Sequence, residues 1–124
     1  DGDGSLLMNL GTLVTVATES PANFYHFVFE NGVYAITGGQ PTPGVGVVDF
    51  AGLAIASGYR SAHKFDDLEH LASDLPGIMS NPGPTMIVIK SNIEVPATRP
   101  VQTWESNARM PAGLRSVKEQ LAKR

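Results

Sequence analysis

The stretch Asp1-Gly2-Asp3-Gly4-Ser5, running straight into Leu6-Leu7-Met8-Asn9-Leu10, constrains this chain more than any other. Its two glycines lack the Cβ that would hold a ligand off the backbone, and a helix starting behind them points unpaired N–H groups outward. An anion is the natural guest of such a turn. Asp3, between the glycines, faces a phosphate well only if a divalent cation stands between them, so the stretch reads as a site for phosphate plus metal. Such a turn normally follows a strand. Nothing precedes Asp1 in this sequence, so the chain is expected to be the later part of a longer polypeptide, with its first strand and crossover helix upstream.

The periodicity behind the turn predicts a helix over Ser5 to Ser20, with Leu6, Leu10, Leu13 and Ala17 on one face and Pro21 ending it. Phe24 to Phe29 is aromatic and β-branched without polar alternation, which predicts a strand covered on both faces. Ala35 to Val48 carries Gly38, Gly39, Pro41, Pro43, Gly44 and Gly46, a long loop expected over the site. Asp49 is placed to cap a helix ending at Gly58, and Tyr59 to Lys64 reads as a short strand. Asp66 is expected to cap a second helix through Leu68, Leu71, Ala72 and Leu75, stopped by Pro76-Gly77. Met86-Ile87-Val88-Ile89 is the strongest central strand. Residues 1–92 form the main part of the domain in this reading. Residues 93–124 form an extended wrap, anchored by Trp104, and a last helix from Pro111 that buries Leu114, Val117 and Leu121. Helix and strand alternate, so the fold class is α/β: a three-layer sandwich around a mostly parallel sheet, lacking its first strand and helix.

Composition narrows the function. The 124 residues are 42% hydrophobic and 17% charged, enough for one domain with a real core. A net charge of −3 with no Lys/Arg run argues against nucleic acid and anionic membrane surfaces. The absence of cysteine excludes a disulfide scaffold, thiolate zinc and a Cys nucleophile, and fits a reducing compartment. With no apolar run near the roughly 18 residues of a membrane span and no export signal, the chain is expected to be cytoplasmic.

Asn31 follows Asp3 by twenty-eight positions, room for one turn, one helix and one strand, so the two can converge at the carboxyl ends of neighbouring strands. A carboxylate, an amide oxygen, a backbone carbonyl and phosphate oxygens make the hard donor set that Mg²⁺ prefers. A calcium EF-hand loop is excluded, because Leu6 stands where that loop needs Gly and Thr12 where it needs Glu.

Gly2-Asp3-Gly4-Ser5, followed by Glu30-Asn31-Gly32-Val33-Tyr34, resembles the paired motif of thiamine-diphosphate enzymes. Together with Thr37-Gly38-Gly39-Gln40 and the run from Gly83-Pro84-Thr85 to Arg99-Pro100, it is similar to phosphonopyruvate and sulfopyruvate decarboxylases over roughly residues 1–100. The resemblance implies a diphosphate-binding domain of the thiamine-diphosphate-binding fold. It implies Mg²⁺ held by Asp3, Asn31 and the carbonyl of Val33, and cofactor contacts from Gly2, Gly4, Ser5, Leu6, Thr37 and Gly38. Gly39 and Gln40 are implied at the substrate end. Glu30 replaces the first Asn of the family pair and is left out of the metal shell.

The implied reaction is decarboxylation of a small anionic 2-oxo acid to CO₂ and an aldehyde. In the family, a pyrimidine-binding domain carries the Glu that activates the cofactor. That domain is not in this sequence and is expected as a partner, upstream on the same polypeptide or on another subunit. The chain itself then supplies no catalytic side chain, and an oligomer is expected, since an unpaired sheet edge favours association. Two other readings stand beside this one: the beta-type part of a 2-oxo-acid oxidoreductase, and a non-catalytic fragment that keeps the fold. The lack of cysteine for an iron–sulfur cluster argues against the oxidoreductase. His26, His63 and His70 receive no role. Tyr34 reads as packing, Asp66, Asp67 and Glu69 as helix-start charges, and Gly38-Gly39 equally well as a plain turn.

Overall fold

A computed structural model of the chain describes residues 1–92 and Glu119. The wrap through Trp104 and the helix from Pro111, with Leu114, Val117 and Leu121, lie outside the described residues. The elements in order are α1 (Asp3–Met8), α2 (Gly11–Glu19), β1 (Tyr25–Glu30), β2 (Val33–Tyr34), β3 (Gln40–Pro41), α3 (Phe50–Ser57), β4 (Ser61–Phe65), α4 (Leu68–Met79) and β5 (Thr85–Lys90).

Met86, Ile87 and Val88 are fully buried because β5 lies between β1 and β4, parallel to both. Side chains alternate across the sheet, so Met86 and Val88 join Val28, Leu6, Leu13, Phe50 and Ala54 in a core under α1, α2 and α3. Ile87 joins Phe65, Leu71 and Ile78 under α4 on the opposite face. The result is an α/β/α sandwich around a parallel sheet, as the alternation of elements implied. Each large side chain sealed this way contributes roughly 1.5–3 kcal/mol. Asp1 and Gly2 run parallel to the free edge of β1: the Asp1 nitrogen donates to Phe27 O at 2.7 Å, and Phe29 N donates to Asp1 O at 2.9 Å. The carboxyl ends of Asp1-Gly2, β1 and β5 therefore meet at one edge of the sheet.

Several expectations are corrected. The helix of Ser5 to Ser20 is two helices: it begins at Asp3 and breaks at Asn9, whose φ of −147° is not helical. Thr12 holds the break, donating both its N–H and its hydroxyl to Asn9 O. The bend lets Leu6 and Leu13 enter one core. The strand read as Phe24 to Phe29 is Tyr25–Glu30 and is not covered on both faces: Val28 is buried, but Phe29 is 50% exposed. The strand read as Tyr59 to Lys64 is Ser61–Phe65, with Tyr59 buried ahead of it. Asp67, not Asp66, caps α4, accepting from His70 N at 2.8 Å. Pro76-Gly77 does not stop that helix. Ile78 is drawn into the core one turn later, and the carbonyls of Pro76 and Gly77 are taken up by Ser80 and Asn81. The helix expected between Asp49 and Gly58 is α3, closing on Gly58 at φ 107°, but Asp49, although it occupies the N-cap position, makes no side-chain cap hydrogen bond among the described residues.

Candidate functional site

The site begins where Asp1-Gly2 leaves the sheet. Gly2, extended at φ −102° and ψ 153°, is the residue before α1, and its carbonyl takes the first helical bond, from Leu6 N at 2.9 Å. The N–H groups of Asp3, Gly4 and Ser5 precede that bond, and no side chain caps them. The two glycines serve different ends. A Cβ on Gly2 would meet no protein atom within 4 Å, so its bareness leaves open space beside the turn. A Cβ on Gly4 would stand 2.6 Å from Cε1 of Tyr34 and 3.0 Å from Cγ2 of Thr42. Gly4 is thus required by packing from below, with Tyr34 as the partner.

Asp3 is 2% exposed. Its Oδ2 accepts from Gly32 N at 2.9 Å and from the Thr42 hydroxyl at 3.4 Å. Among the described residues no hydrogen bond engages Oδ1. A buried carboxylate is costly unless its oxygens are satisfied, so one tied and one free oxygen suit an electropositive guest. Gly32 and Asn31 follow β1 directly, which is why a residue after the first turn and one after β1 share a corner. Asn31 folds its Oδ1 back to accept from Val33 N at 3.0 Å. Val33 pairs with Pro41 in the β2–β3 hairpin, while Gly32 O accepts from Thr42 N and Tyr34 O from Gly39 N. Antiparallel ladders alternate, so Val33 turns its N–H and C=O away from β3, and Pro41 costs no ladder bond where it sits.

Gly2, Asp3, Gly4, Ser5, Asn31, Val33 and Thr37 line one pocket of ≈ 470 Å³, joined by Asp1, Tyr34, Met8 and Ile36. Four of the expected residues stand elsewhere. Leu6 turns its side chain into the core and gives its N–H to Gly2 O. Gly38 and Gly39, at φ 131° and 77°, make the turn between β2 and β3. Gln40 is exposed, its amide folded onto Thr37 O. The long loop of Ala35 to Val48 is thus opened by a hairpin rather than being without structure.

Thr42 is the residue that sequence reasoning missed. Tyr34 was read as packing, and its packing is what shapes the turn. Thr42 carries no local signal, because its partner lies thirty-nine positions away. Glu30 stays out of the pocket: its buried Oε2, without a hydrogen-bond partner among the described residues, lies 3.2 Å from Lys64 Nζ. Among the described residues no group of three His, Cys, Asp or Glu side chains could hold a metal ion. No helix among the described residues is long and apolar enough to cross a membrane.

A family model described as the thiamine pyrophosphate enzyme C-terminal TPP-binding domain matches residues 1–89. The chain is 46% identical over 87 residues to a phosphonopyruvate decarboxylase of Streptomyces hygroscopicus, covering 70% of this chain and 21% of that protein. It is 44% identical over 79 residues to a sulfopyruvate decarboxylase subunit beta of Methanothermobacter thermautotrophicus, covering 61% and 42% respectively. Among solved structures it is similar to a candidate thiamin diphosphate-dependent enzyme from Mycobacterium smegmatis, with a TM-score of 0.61, 25% identity, and 75% of this chain and 17% of that one covered. The chain thus spans about a fifth of the length of the phosphonopyruvate decarboxylase it matches.

Proposed function

Since the chain belongs to the thiamine pyrophosphate enzymes, as their C-terminal TPP-binding domain, we propose that its pocket holds the diphosphate and Mg²⁺ of thiamine diphosphate in a 2-oxo-acid decarboxylase. The substrate is a small anionic 2-oxo acid of the phosphonopyruvate or sulfopyruvate kind, and the products are CO₂ and an aldehyde.

The single observation that carries this reading is the buried Asp3 carboxylate. One oxygen is tied to Gly32 and Thr42, the other is without a hydrogen bond among the described residues, and the carboxylate lines the same pocket as Asn31 and Val33. Asp3 Oδ1, the Asn31 side chain and the Val33 carbonyl would hold Mg²⁺. The Gly4 and Ser5 N–H groups and the Ser5 hydroxyl would hold the diphosphate, favoured by the start of α1. Gly2 would leave room for it. Thr37 and Gly38 would reach the cofactor, with Gly39 and Gln40 beyond them toward the substrate. When bound, the cofactor supplies an electron sink for the pair released with CO₂. This chain's part is to bind, orient and neutralise. The described pocket lining contains Asp1 and Asp3 and no Lys or Arg, and the substrate's anionic group would be met from outside that lining, by a partner in this reading. That partner is a pyrimidine-binding domain, and the subunit beta designation of the Methanothermobacter relative suits a separate chain.

Calorimetry of the chain assembled with that domain tests the reading. Thiamine diphosphate with Mg²⁺ is taken up by the parent and lost on Asp3→Ala or Asn31→Ala. Release of CO₂ and an aldehyde without an added electron acceptor then separates a decarboxylase from an oxidoreductase. A parent assembly that takes up no cofactor overturns the proposal.

A further inference from the structure

The turn at Gly2 is steadied from a distance by groups that the cofactor reading does not use. Tyr59, 4% exposed, follows α3 and sends its hydroxyl to within 3.1 Å of Nδ1 of His26 on β1. On the other side of the same imidazole, Nε2 lies 3.5 Å from Oδ2 of Asp1. The second oxygen of Asp1, Oδ1, accepts from Gly2 N at 3.0 Å. Asp1 and Gly2 both line the pocket.

The donor and acceptor properties of these groups permit one consistent arrangement. An ionised carboxylate only accepts, and a neutral imidazole carries one donor and one acceptor. Nε2 must therefore hold the proton toward Asp1, and Nδ1 must accept from Tyr59. Burial lowers the proton affinity of His26 and keeps the Tyr59 phenol protonated, which suits the same assignment. The string has a direction: phenol to imidazole, imidazole to carboxylate, Gly2 N–H to carboxylate. It ties the start of β4 to the turn through the middle of the sheet. Because Asp1 engages Gly2 and His26 with different oxygens, its rotamer cannot turn without breaking one contact.

We propose that His26 and Tyr59 are positioning residues, which hold the Asp1 carboxylate and through it the Gly2 peptide that opens the phosphate turn. Neither touches the pocket. Their work is to hold the Asp1–Gly2 peptide bond, from which the backbone enters the turn that presents the N–H groups of Asp3 and Gly4. The expected effect on ligand affinity rests on the cofactor reading; the string of polar contacts does not.

The test uses the full chain, labelled with ¹⁵N-histidine and ¹⁵N-glycine and assembled with its partner domain. The His26 nitrogens should report the Nε2–H form. Tyr59→Phe should move His26 toward a mixture of tautomers and shift the Gly2 amide resonance, with cooperative unfolding retained. Uptake of thiamine diphosphate with Mg²⁺ should weaken on the order of tenfold, the scale of lost support behind a ligand. His26→Gln, whose amide can still donate to Asp1, should retain more affinity than His26→Leu. If His26→Leu does not fold, Tyr59→Phe decides alone. An Nδ1–H form of His26, or a Gly2 amide unmoved by Tyr59→Phe, overturns the proposal. Failure of the parent to bind cofactor would overturn the function, while the tautomer and the Gly2 amide would still decide the string.

Discussion

Replacing each glycine of the turn by alanine should separate packing from ligand space. At Gly4 the new Cβ would lie 2.6 Å and 2.7 Å from two carbons of the Tyr34 ring and 3.0 Å from Thr42 Cγ2, well inside the 3.4 Å where ordinary contact begins. Tyr34 must swing away or Thr42 must retreat, and Thr42 holds Asp3 Oδ2. Overpacking of this kind costs about 1–3 kcal/mol, which lowers Tm by about 4–8 °C per kcal/mol in a domain of roughly this size. At Gly2 the new Cβ meets nothing within 4 Å, and φ −102° is open to any residue. Gly2→Ala should therefore unfold within about 0.5 kcal/mol of the parent, yet lose uptake of thiamine diphosphate with Mg²⁺, because the methyl group stands in the ligand's space. Urea unfolding gives the first quantity and calorimetry the second. Tyr34→Ala combined with Gly4→Ala should recover part of the Gly4 penalty, a coupling expected of groups in contact. If Gly2→Ala binds cofactor as the parent does, or Gly4→Ala costs nothing, the assignment of separate duties to the two glycines is wrong.

Two further outcomes follow from the same corner of the fold. Thr42→Val removes a donor to the buried Asp3 carboxylate at nearly constant volume; it should cost about 1–2 kcal/mol in urea unfolding and weaken Mg²⁺-dependent uptake, and unchanged uptake would show that Gly32 alone orients Asp3. Burial lowers the proton affinity of His26, so the unfolded chain binds the proton more readily. The stabilisation is full above the ordinary imidazole value and is lost as pH falls through the folded one; stability at about pH 5.5 should drop relative to about pH 7.5, and by less in His26→Gln. An equal drop in both proteins would remove His26 as the cause.

Much of the fold was legible because it is written in short-range pattern. The apolar run Met86 to Ile89 reads as a central strand since burial on both faces leaves no place for alternation, and β5 is that strand. Gly58 reads as a helix end because few residues accept its φ of 107°. The Gly-Asp-Gly-Ser turn was read as a phosphate and metal site from its own chemistry, and Asn31 was matched to it by spacing. The misreadings have local patterns that tertiary contacts overrode. Pro76 failed to end α4 because Ile78 had a core to fill and neighbouring side chains were at hand for the carbonyls. The Asn9 break is invisible in a helical pattern that continues across it, since Leu6 and Leu13 are apolar in either case.

Residue types and spacing carry the chemistry proposed for the turn: glycines for close approach, a carboxylate for a cation, and an amide at a distance that one crossover can close. Which glycine serves the ligand and which serves the ring of Tyr34 was a matter of three-dimensional neighbours. So were the support of Asp3 by Thr42, the exclusion of Glu30 by Lys64, and the string from Tyr59 through His26 to Asp1. Chemical capacity belongs to the residue and survives in the linear chain. Orientation belongs to pairs joined across the sheet, and those pairs exist only once β1, β4 and the hairpin have been brought to the same edge.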